Sequence, residues 1–344
     1  MTRSGTGIAE LIRRPVVVAP MGGGPSTPGL VAAAAQAGAL GFLATVGRGA
    51  DQVRQDMAAV RALTGEAFGV NLFVPGPPAG RPEDVRRYVA SLAADAEALG
   101  AAPGDPSWDD DGWQDKVNAL LADPPAVVSF TFGCPSREIV SAFQRAGSLV
   151  CVTVTSVAEA RVAAAAGADC LCVQGADAGG HRGSFRNDDA PHLPLLALLP
   201  QVAAVGLPMI AAGGIVTPEA VAAALGAGAV AAQCGTAFLR CPESGAHPAH
   251  KDALADPRFT GTAVTRAFSG RPARSLVNGF MRAHPAAPAA FPEINNATRP
   301  LRAAAAARSD ADRMSLWAGT GFRQAAARPA AEVIGLLDPR HPRA

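Results

Sequence analysis

The stretch Cys170–Phe185 reads CLCVQGADAGGHRGSF, and its two halves carry different information. Cys170 to Val173 is a short apolar run bounded by turn residues, the pattern of a strand buried on both faces. The second half breaks into Gly175, Gly179, Gly180 and Gly183, where a backbone can take positive φ or come close to a ligand. His181 stands among them, the one side-chain type that titrates near neutral pH. A lone histidine beside Arg182 is also what an ordinary surface loop carries. The surrounding glycines and the position at a strand's end favour a role for it as a general base.

Working outward, the same strand-then-helix unit recurs along the chain. Apolar, strand-like runs lie at Pro15–Met21, Ala39–Val46, Phe68–Val74, Ala126–Gly133, Leu149–Val154, Cys170–Gln174, Pro208–Gly214 and Val230–Thr236. Helical stretches follow at Pro28–Ala37, Asp51–Leu63, Ser136–Ala146, Val157–Ala166, up to about Val205, and at Pro218–Leu225. Four of these helices end in Ala-Gly just before a strand, at Gly38, Gly147, Gly167 and Gly228, and glycine just past a helix is its left-handed cap. Strands apolar on both faces, alternating with helices about eight times, predict an α/β fold, the parallel (β/α)8 TIM barrel. A doubly wound open sheet is the alternative.

Two stretches depart from the alternation. Residues about 75–125 read as an insertion after the third strand, with an amphipathic helix over Glu83–Leu99 and a Pro-, Gly- and Asp-rich loop over Ala101–Gly112. After Leu239 the rhythm changes to a mostly helical extension. It has a helix at Ala249–Ala255, a strand-like Thr262–Phe268 and a Pro-rich linker at Pro285–Pro292, then helices near Leu316–Ala327 and Ala330–Leu337. The expected division is a barrel over 1–240 and an extension over 241–344 that packs beside the barrel and over part of its mouth.

Composition sets limits on partners. The chain has 344 residues, 49% of them hydrophobic and 17% charged, which is ample for a buried core. Its 30 basic and 29 acidic residues leave a net charge of +1, with no footprint for nucleic acid or an anionic membrane. Leu193–Pro218 is uncharged apart from its ends' neighbours, but Pro194, Pro200, Pro208 and Gly213-Gly214 interrupt it, so a spanning helix is not expected. The apolar run near the N-terminus is too short for a signal-peptide core. Six cysteines without a C-x-x-C pair read as buried, reduced thiols, which suits a cytoplasmic protein. A homodimer is left open as the assembly.

In a parallel barrel the site lies at the carboxyl ends of the strands. There the sequence places Met21 and Gly22, Asn71, Gly133-Cys134, Gln174, Gly179 and Gly180, Gly213-Gly214, and Gln233-Cys234-Gly235-Thr236. The set holds no carboxylate cluster, which argues against glycosidase or divalent-metal hydrolase chemistry. Gly213-Gly214 and Gly235-Thr236 suit a phosphate, although a pair of glycines also serves a plain tight turn. Asn71, Gln174 and Gln233 are amides on apolar strands, costly to bury unpaired, and a planar polar heterocycle would satisfy them. Phosphate plus heterocycle describes a mononucleotide cofactor such as FMN. His247 and His250 lack a third ligand and read as structural, and no metal site is expected. Cys134 has no basic partner in sequence and reads as inert. Arg266, Arg271 and Arg274 read as solvated, with contact to an anionic substrate as the alternative.

Taken together, APMGGG with Thr27-Pro28, FGVNLF (Phe68–Phe73), SFTFGCP (Ser129–Pro135), QGADAGGHRG (Gln174–Gly183), AAGGI (Ala211–Ile215) and QCGTAFL (Gln233–Leu239) resemble the nitronate monooxygenase family. The resemblance runs in order through the barrel and extends to NNATRPLR and LWAGTGFR in the tail. It implies a flavin-bound barrel that oxidises alkyl nitronates, and nitroalkanes through their nitronates, with O2 to a carbonyl compound and nitrite. It also implies FMN held by Met21, Asn71, Gln174, Gly179, Gly214, Gln233, Gly235 and Thr236, with His181 as the base that takes the α-proton or positions the nitronate. Where that family commonly has tyrosines and a lysine at the substrate end, this chain has a single tyrosine, Tyr88. Two further readings are a flavin-dependent enoyl-acyl-carrier-protein reductase drawing on NAD(P)H, which shares the fold and a similar loop, and a non-catalytic barrel that binds a phosphorylated ligand.

Overall fold

The computed structural model describes residues 7–78 and 80–340, so the first six residues of the N-terminal stretch lie outside it. Its strands are β1 (Val16–Val18), β2 (Leu40–Ala44), β3 (Gly69–Phe73), β4 (Val127–Thr131), β5 (Leu149–Val154), β6 (Cys170–Gln174), β7 (Gly180–His181), β8 (Met209–Ala212), β9 (Ala231–Cys234), β10 (Thr262–Thr265) and β11 (Ala273–Leu276). Strands β1–β6, β8 and β9 close into a barrel in which every pair is parallel. β9 returns to β1 through Val16↔Ala232, Val17↔Gln233 and Val18↔Cys234. That closure is the expected (β/α)8 barrel, and it excludes an open sheet, which would leave two unpaired edges.

Successive side chains of a strand face opposite ways, and here they sort into two clusters. Val17, Leu40, Phe42, Val127, Cys170 and Ile210 belong to one, inside the barrel. Val16, Val18, Val70, Val128 and Val152 join the other, with Leu30, Val53 and Met57 of the surrounding helices. All six cysteines are free and five are buried. The helices start from the mouth side with polar caps: Thr27, Ser136, Ser156 and Thr217 each accept a backbone N–H from the first turn. At the other end Gly38, Gly147, Gly167 and Gly228 all take positive φ, as their Ala-Gly context implied. Among the described residues no helix is long and apolar enough to cross a membrane.

The stretch 75–125 is only partly an insertion. Helix Trp113–Ala122 buries Val117 and Leu120 in the outer barrel core and is the barrel's own crossover between β3 and β4. The Glu83–Leu99 helix is two helices, Pro82–Ser91 and Ala93–Leu99. Val85, Tyr88, Leu92 and Leu99 from them share a second core with Phe268, Phe280, Ile294 and Leu301 of the tail. Asp95 locks the two pieces together, with one carboxylate oxygen 2.7 Å from His284 Nε2 and the other 2.8 Å from Arg313 Nε. Insertion and tail are thus one lobe, built from segments about two hundred residues apart.

Two tail elements differ from expectation. The longest tail helix, Glu293–Ala307, was not foreseen because Asn295, Asn296 and Pro300 are poor helix formers. The insertion supports it at the break: Gly104 N–H donates to Ala297 O at 2.8 Å, and Gly104 packs against the Pro300 ring. Conversely, Leu316–Ala327 forms no α-helix. Leu316 exchanges backbone and side-chain bonds with β11, Trp317 bridges to Ser275, and only Phe322–Gln324 makes a 3-10 turn.

Candidate active site

The loop after β6 is held across the barrel mouth from two sides. From below, Gln174 Nε2 donates to His181 O (3.1 Å) and Gln174 Oε1 accepts from Gly183 N (2.7 Å). From the tail, β11 pairs antiparallel with β7, setting Ala273 opposite His181 and Arg274 opposite Gly180. Arg274 also reaches Ala176 O (2.9 Å). Gln174 was expected to face a cofactor. Both ends of its amide instead brace its own loop, which fixes the backbone on either side of Arg182.

The His181 ring is boxed by aromatic side chains from three parts of the chain. Trp317, Phe132, Phe291 and Phe73 lie with centroids 5.3, 5.7, 5.8 and 6.5 Å from it. Phe132 has φ of 74°, rare for a residue with a large side chain. Backbone strain of this kind collects at functional sites. His181 Nε2 is 2.8 Å from Ser269 Oγ, and Ser269 Oγ in turn donates to Arg271 O at 3.2 Å. Arg271 N also donates to that Oγ, at 3.4 Å. In the tautomer in which the serine hydrogen is directed at the Arg271 carbonyl, Nε2 carries the imidazole proton and the lone pair is left on Nδ1. Burial, and then the charges of Arg271 and Arg302, push the His181 pKa down to about 3. The ring is therefore neutral at physiological pH. Ser269, Phe291 and Trp317 carried no signal in the sequence, since each lies in the tail and meets the histidine only through the fold.

The three tail arginines are not solvated. Arg266 pairs with Asp189, and Arg274 is tied to the loop and to Thr262. Arg271 is buried, its guanidinium 3.9 Å from the Phe132 ring centre. It donates to Ser184 O and Arg182 O, and among the described residues it makes no salt bridge.

On the other side of the mouth the loops after β6, β8 and β9 converge with the tail. A Cβ on Gly179 would stand 2.4 Å from Gly319 N, so the two backbones can touch only as glycines. Gly213 and Gly214 both have positive φ, and a Cβ on Gly214 would lie 2.9 Å from Asp177 Cβ. Thr236 Oγ1 accepts from Gly319 N at 2.9 Å, which leaves its own hydrogen free to donate. Among the described residues the N–H groups of Gly214, Gly235 and Thr236 have no acceptor. Clustered donors without partners call for a ligand, and this set fits a phosphate.

The remaining candidates border the same mouth with differing freedom. Asn71 Nδ2 lies within bonding distance of Ser129 Oγ (2.9 Å) and Thr131 Oγ1 (3.0 Å), while Asn71 Oδ1 has no partner among the described residues. Gln233 Nε2 meets only Cys172 Sγ, at 3.3 Å, and its oxygen is likewise unbonded. Met21 Sδ lies 3.5 Å from where a Cβ on Gly235 would stand, and Gly22 packs directly on Val46. These unpaired amide oxygens fit the edge of a polar heterocycle. Cys234 does not fit as a side-chain contact: its thiol is buried in the outer core, and burial raises its pKa to about 12.

Burial likewise raises the Cys134 pKa to about 11, away from a reactive thiolate. His247 Nδ1 caps the helix Pro248–Ala253, and His250 Nε2 bonds Trp317 O at 3.2 Å, so each ring has a structural partner. Among the described residues no group of three His, Cys, Asp or Glu side chains could hold a metal ion.

Fold and mouth together define a class, the (β/α)8-barrel enzymes that hold their ligand at the strands' carboxyl ends. Comparison with known proteins narrows it. A family model described as nitronate monooxygenase matches residues 6–338. The nitronate monooxygenase of Pseudomonas aeruginosa is 41% identical over 346 residues, covering 95% of each chain. Among solved structures, nitroalkane oxidase from Streptomyces ansochromogenes aligns with a TM-score of 0.94 at 48% identity, covering 96% of each chain. FabK from Thermotoga maritima aligns with a TM-score of 0.73 at 25% identity, covering 96% of this chain and 94% of that one. The chain belongs to the nitronate monooxygenase family, which are flavin-dependent oxidoreductases.

Proposed function

We propose that this chain is an FMN-dependent nitronate monooxygenase that oxidises alkyl nitronates, and nitroalkanes after deprotonation, with O2 to a carbonyl compound and nitrite. The names of its relatives, a nitronate monooxygenase and a nitroalkane oxidase, support the substrate class. In this reading the barrel (residues 1–240) holds the cofactor and the extension (241–344) closes the mouth. Gly179, Gly213, Gly214, Gly235 and Thr236 would hold the phosphate through free donors. Met21, Gly22, Asn71, Gly180 and Gln233 would border the ring system. Gln174 acts by positioning the loop, and Cys234 contributes backbone alone. FMN, when bound, takes electrons from the nitronate and passes them to O2.

The chain's own part is to place the substrate and move one proton. The observation that carries the reading is the His181 ring, neutral, boxed by aromatics, and held by Ser269 so that Nδ1 is free. A neutral nitroalkane brought against that edge loses its α-proton to Nδ1. The nearby guanidinium charges of Arg271 and Arg302 oppose protonation of the ring, and the nitronate that forms supplies a balancing negative charge. The aromatic box excludes water from the developing anion. An already ionised nitronate needs no base. His181→Asn is therefore expected to retain flavin and nitronate turnover, while kcat/KM for neutral nitroethane falls by about 10²–10⁴. Undiminished nitroethane turnover in that variant removes His181 from the catalytic role.

A further inference from the structure

We infer that a cavity beside the aromatic box, between the insertion and the tail, binds the alkyl chain of a long-chain nitronate whose anionic head is drawn by Arg271. The inference rests on the nitronate reading above and extends it to the part of the substrate that does not react.

The cavity is about 360 Å³. That lies at the lower end of pockets that enclose drug-sized ligands, and a one- or two-carbon side chain would leave most of it empty. It shares a wall with the His181 chamber: Phe73, Phe132 and Phe291 line it, and the same three rings pack on the histidine. Val46, Val74, Pro75 and Pro77 give it further apolar surface. Chain length is therefore recognised by burial alone.

Its charges select the head group. Arg271 lines the cavity, is buried, and lies over Phe132. Its Nε and Nη2 donate to backbone carbonyls, whereas Nη1 has no partner among the described residues. The charges of Glu159 and Asp188 act on it from a distance, but among the described residues no carboxylate bonds it; a planar nitronate offers two oxygens, one of them for the free Nη1 donors. Asp109, Asp110, Asp111 and Asp188 also line it, as do Arg186 and Arg299. With Arg186 tied to Asp188 and Asp111 to Lys116, the apolar rings together with Arg271 suit a monoanion with an apolar tail.

Straight-chain carboxylates are unreactive monoanions with the same planar two-oxygen head, and they test the cavity without turnover. Trp108 also lines it, so its emission in the flavin-loaded protein reports binding, with Trp108→Phe assigning the signal. From propionate to heptanoate, Kd is expected to fall about fourfold per methylene. The n-alcohols of equal length should bind about tenfold more weakly for want of a charge facing Arg271. Gly76→Leu adds a side chain to the lining where a Cβ meets nothing within 4 Å, and it should flatten the dependence on length. Affinity independent of length, or equal for acids and alcohols, overturns the inference. The two readings fail separately: nitronate turnover without length-dependent binding leaves the proposed activity standing and removes the cavity's role. Length-dependent binding of acids without oxidation of any nitronate does the reverse.

Discussion

His181 Nε2 and Ser269 Oγ lie 2.8 Å apart although 88 residues separate them in the chain. One comes from the loop after β6 and the other from the extension, so the base is complete only when the tail is docked. Ser269 reaches no reacting atom in this account; it sets which nitrogen of His181 is free. Ser269→Ala is expected to lower kcat for nitroethane about tenfold or more, as loss of a positioned base does, with little change for ethylnitronate. Ser269→Thr, which keeps the hydroxyl, should restore most of it. Equal losses on both substrates would mark Ser269 as merely structural.

The pH dependence has a definite sign. The His181 pKa is lowered from 6.5 to about 3 and that of His250 from 6.5 to about 4, both chiefly by burial. Below pH 6.5 the unfolded chain therefore binds protons that the folded chain does not, and stability falls as pH drops through the window from 6.5 toward 4 and 3. Melting temperature followed from pH 7 down to pH 4 should decline, and His250→Gln should reduce the decline. Activity on nitroethane should show no acid limb near pH 6.5 from His181. A limb there would mean that the ring titrates normally.

The second lobe depends on Asp95. Its carboxylate bonds His284 and Arg313 between the insertion and the tail. Asp95→Ala leaves both partners without their acceptor and should cost about 3 kcal/mol, measured by denaturant unfolding. Because the lobe carries Ser269, Phe291 and Trp317, nitroethane turnover should weaken with it at denaturant levels the parent tolerates.

Gly179 lies so close to Gly319 that a methyl group cannot be inserted without parting loop and tail. Gly179→Ala is expected to fold, since the barrel closure does not involve it, but to lose flavin on dilution. The ratio of flavin to protein absorbance after gel filtration measures this. Full retention would place the cofactor away from Gly179.

The sequence made the barrel legible because its signal is local: apolar strand-like runs and Ala-Gly helix ends, repeated in order. The strand-end residues were legible for the same reason, since in this fold order along the chain gives position around the mouth. What the amides do was not. Gln174 reads alike whether it faces a cofactor or its own loop, and only coordinates show both of its ends engaged by His181 and Gly183. The tail was the least legible part. Glu293–Ala307 holds as a helix despite Pro300 because the insertion packs on it, and Leu316–Ala327 forms no α-helix because its start, Leu316 and Trp317, pairs with β11. Both outcomes depend on partners far away in sequence. Ser269, Phe291 and Trp317 belong to that region, which is why three of the groups around His181 were invisible before the fold.

The central claim is that nitronates are the electron source for a flavin held in this mouth. Anaerobic mixing of the flavin-loaded protein with ethylnitronate, and separately with NADH, tests it in a single measurement of flavin absorbance. The expected result is rapid bleaching by ethylnitronate, none of comparable rate by NADH, and return of colour on admitting O2. Rapid bleaching by NADH with none by ethylnitronate would contradict the account and favour a nicotinamide-dependent reductase on the same barrel.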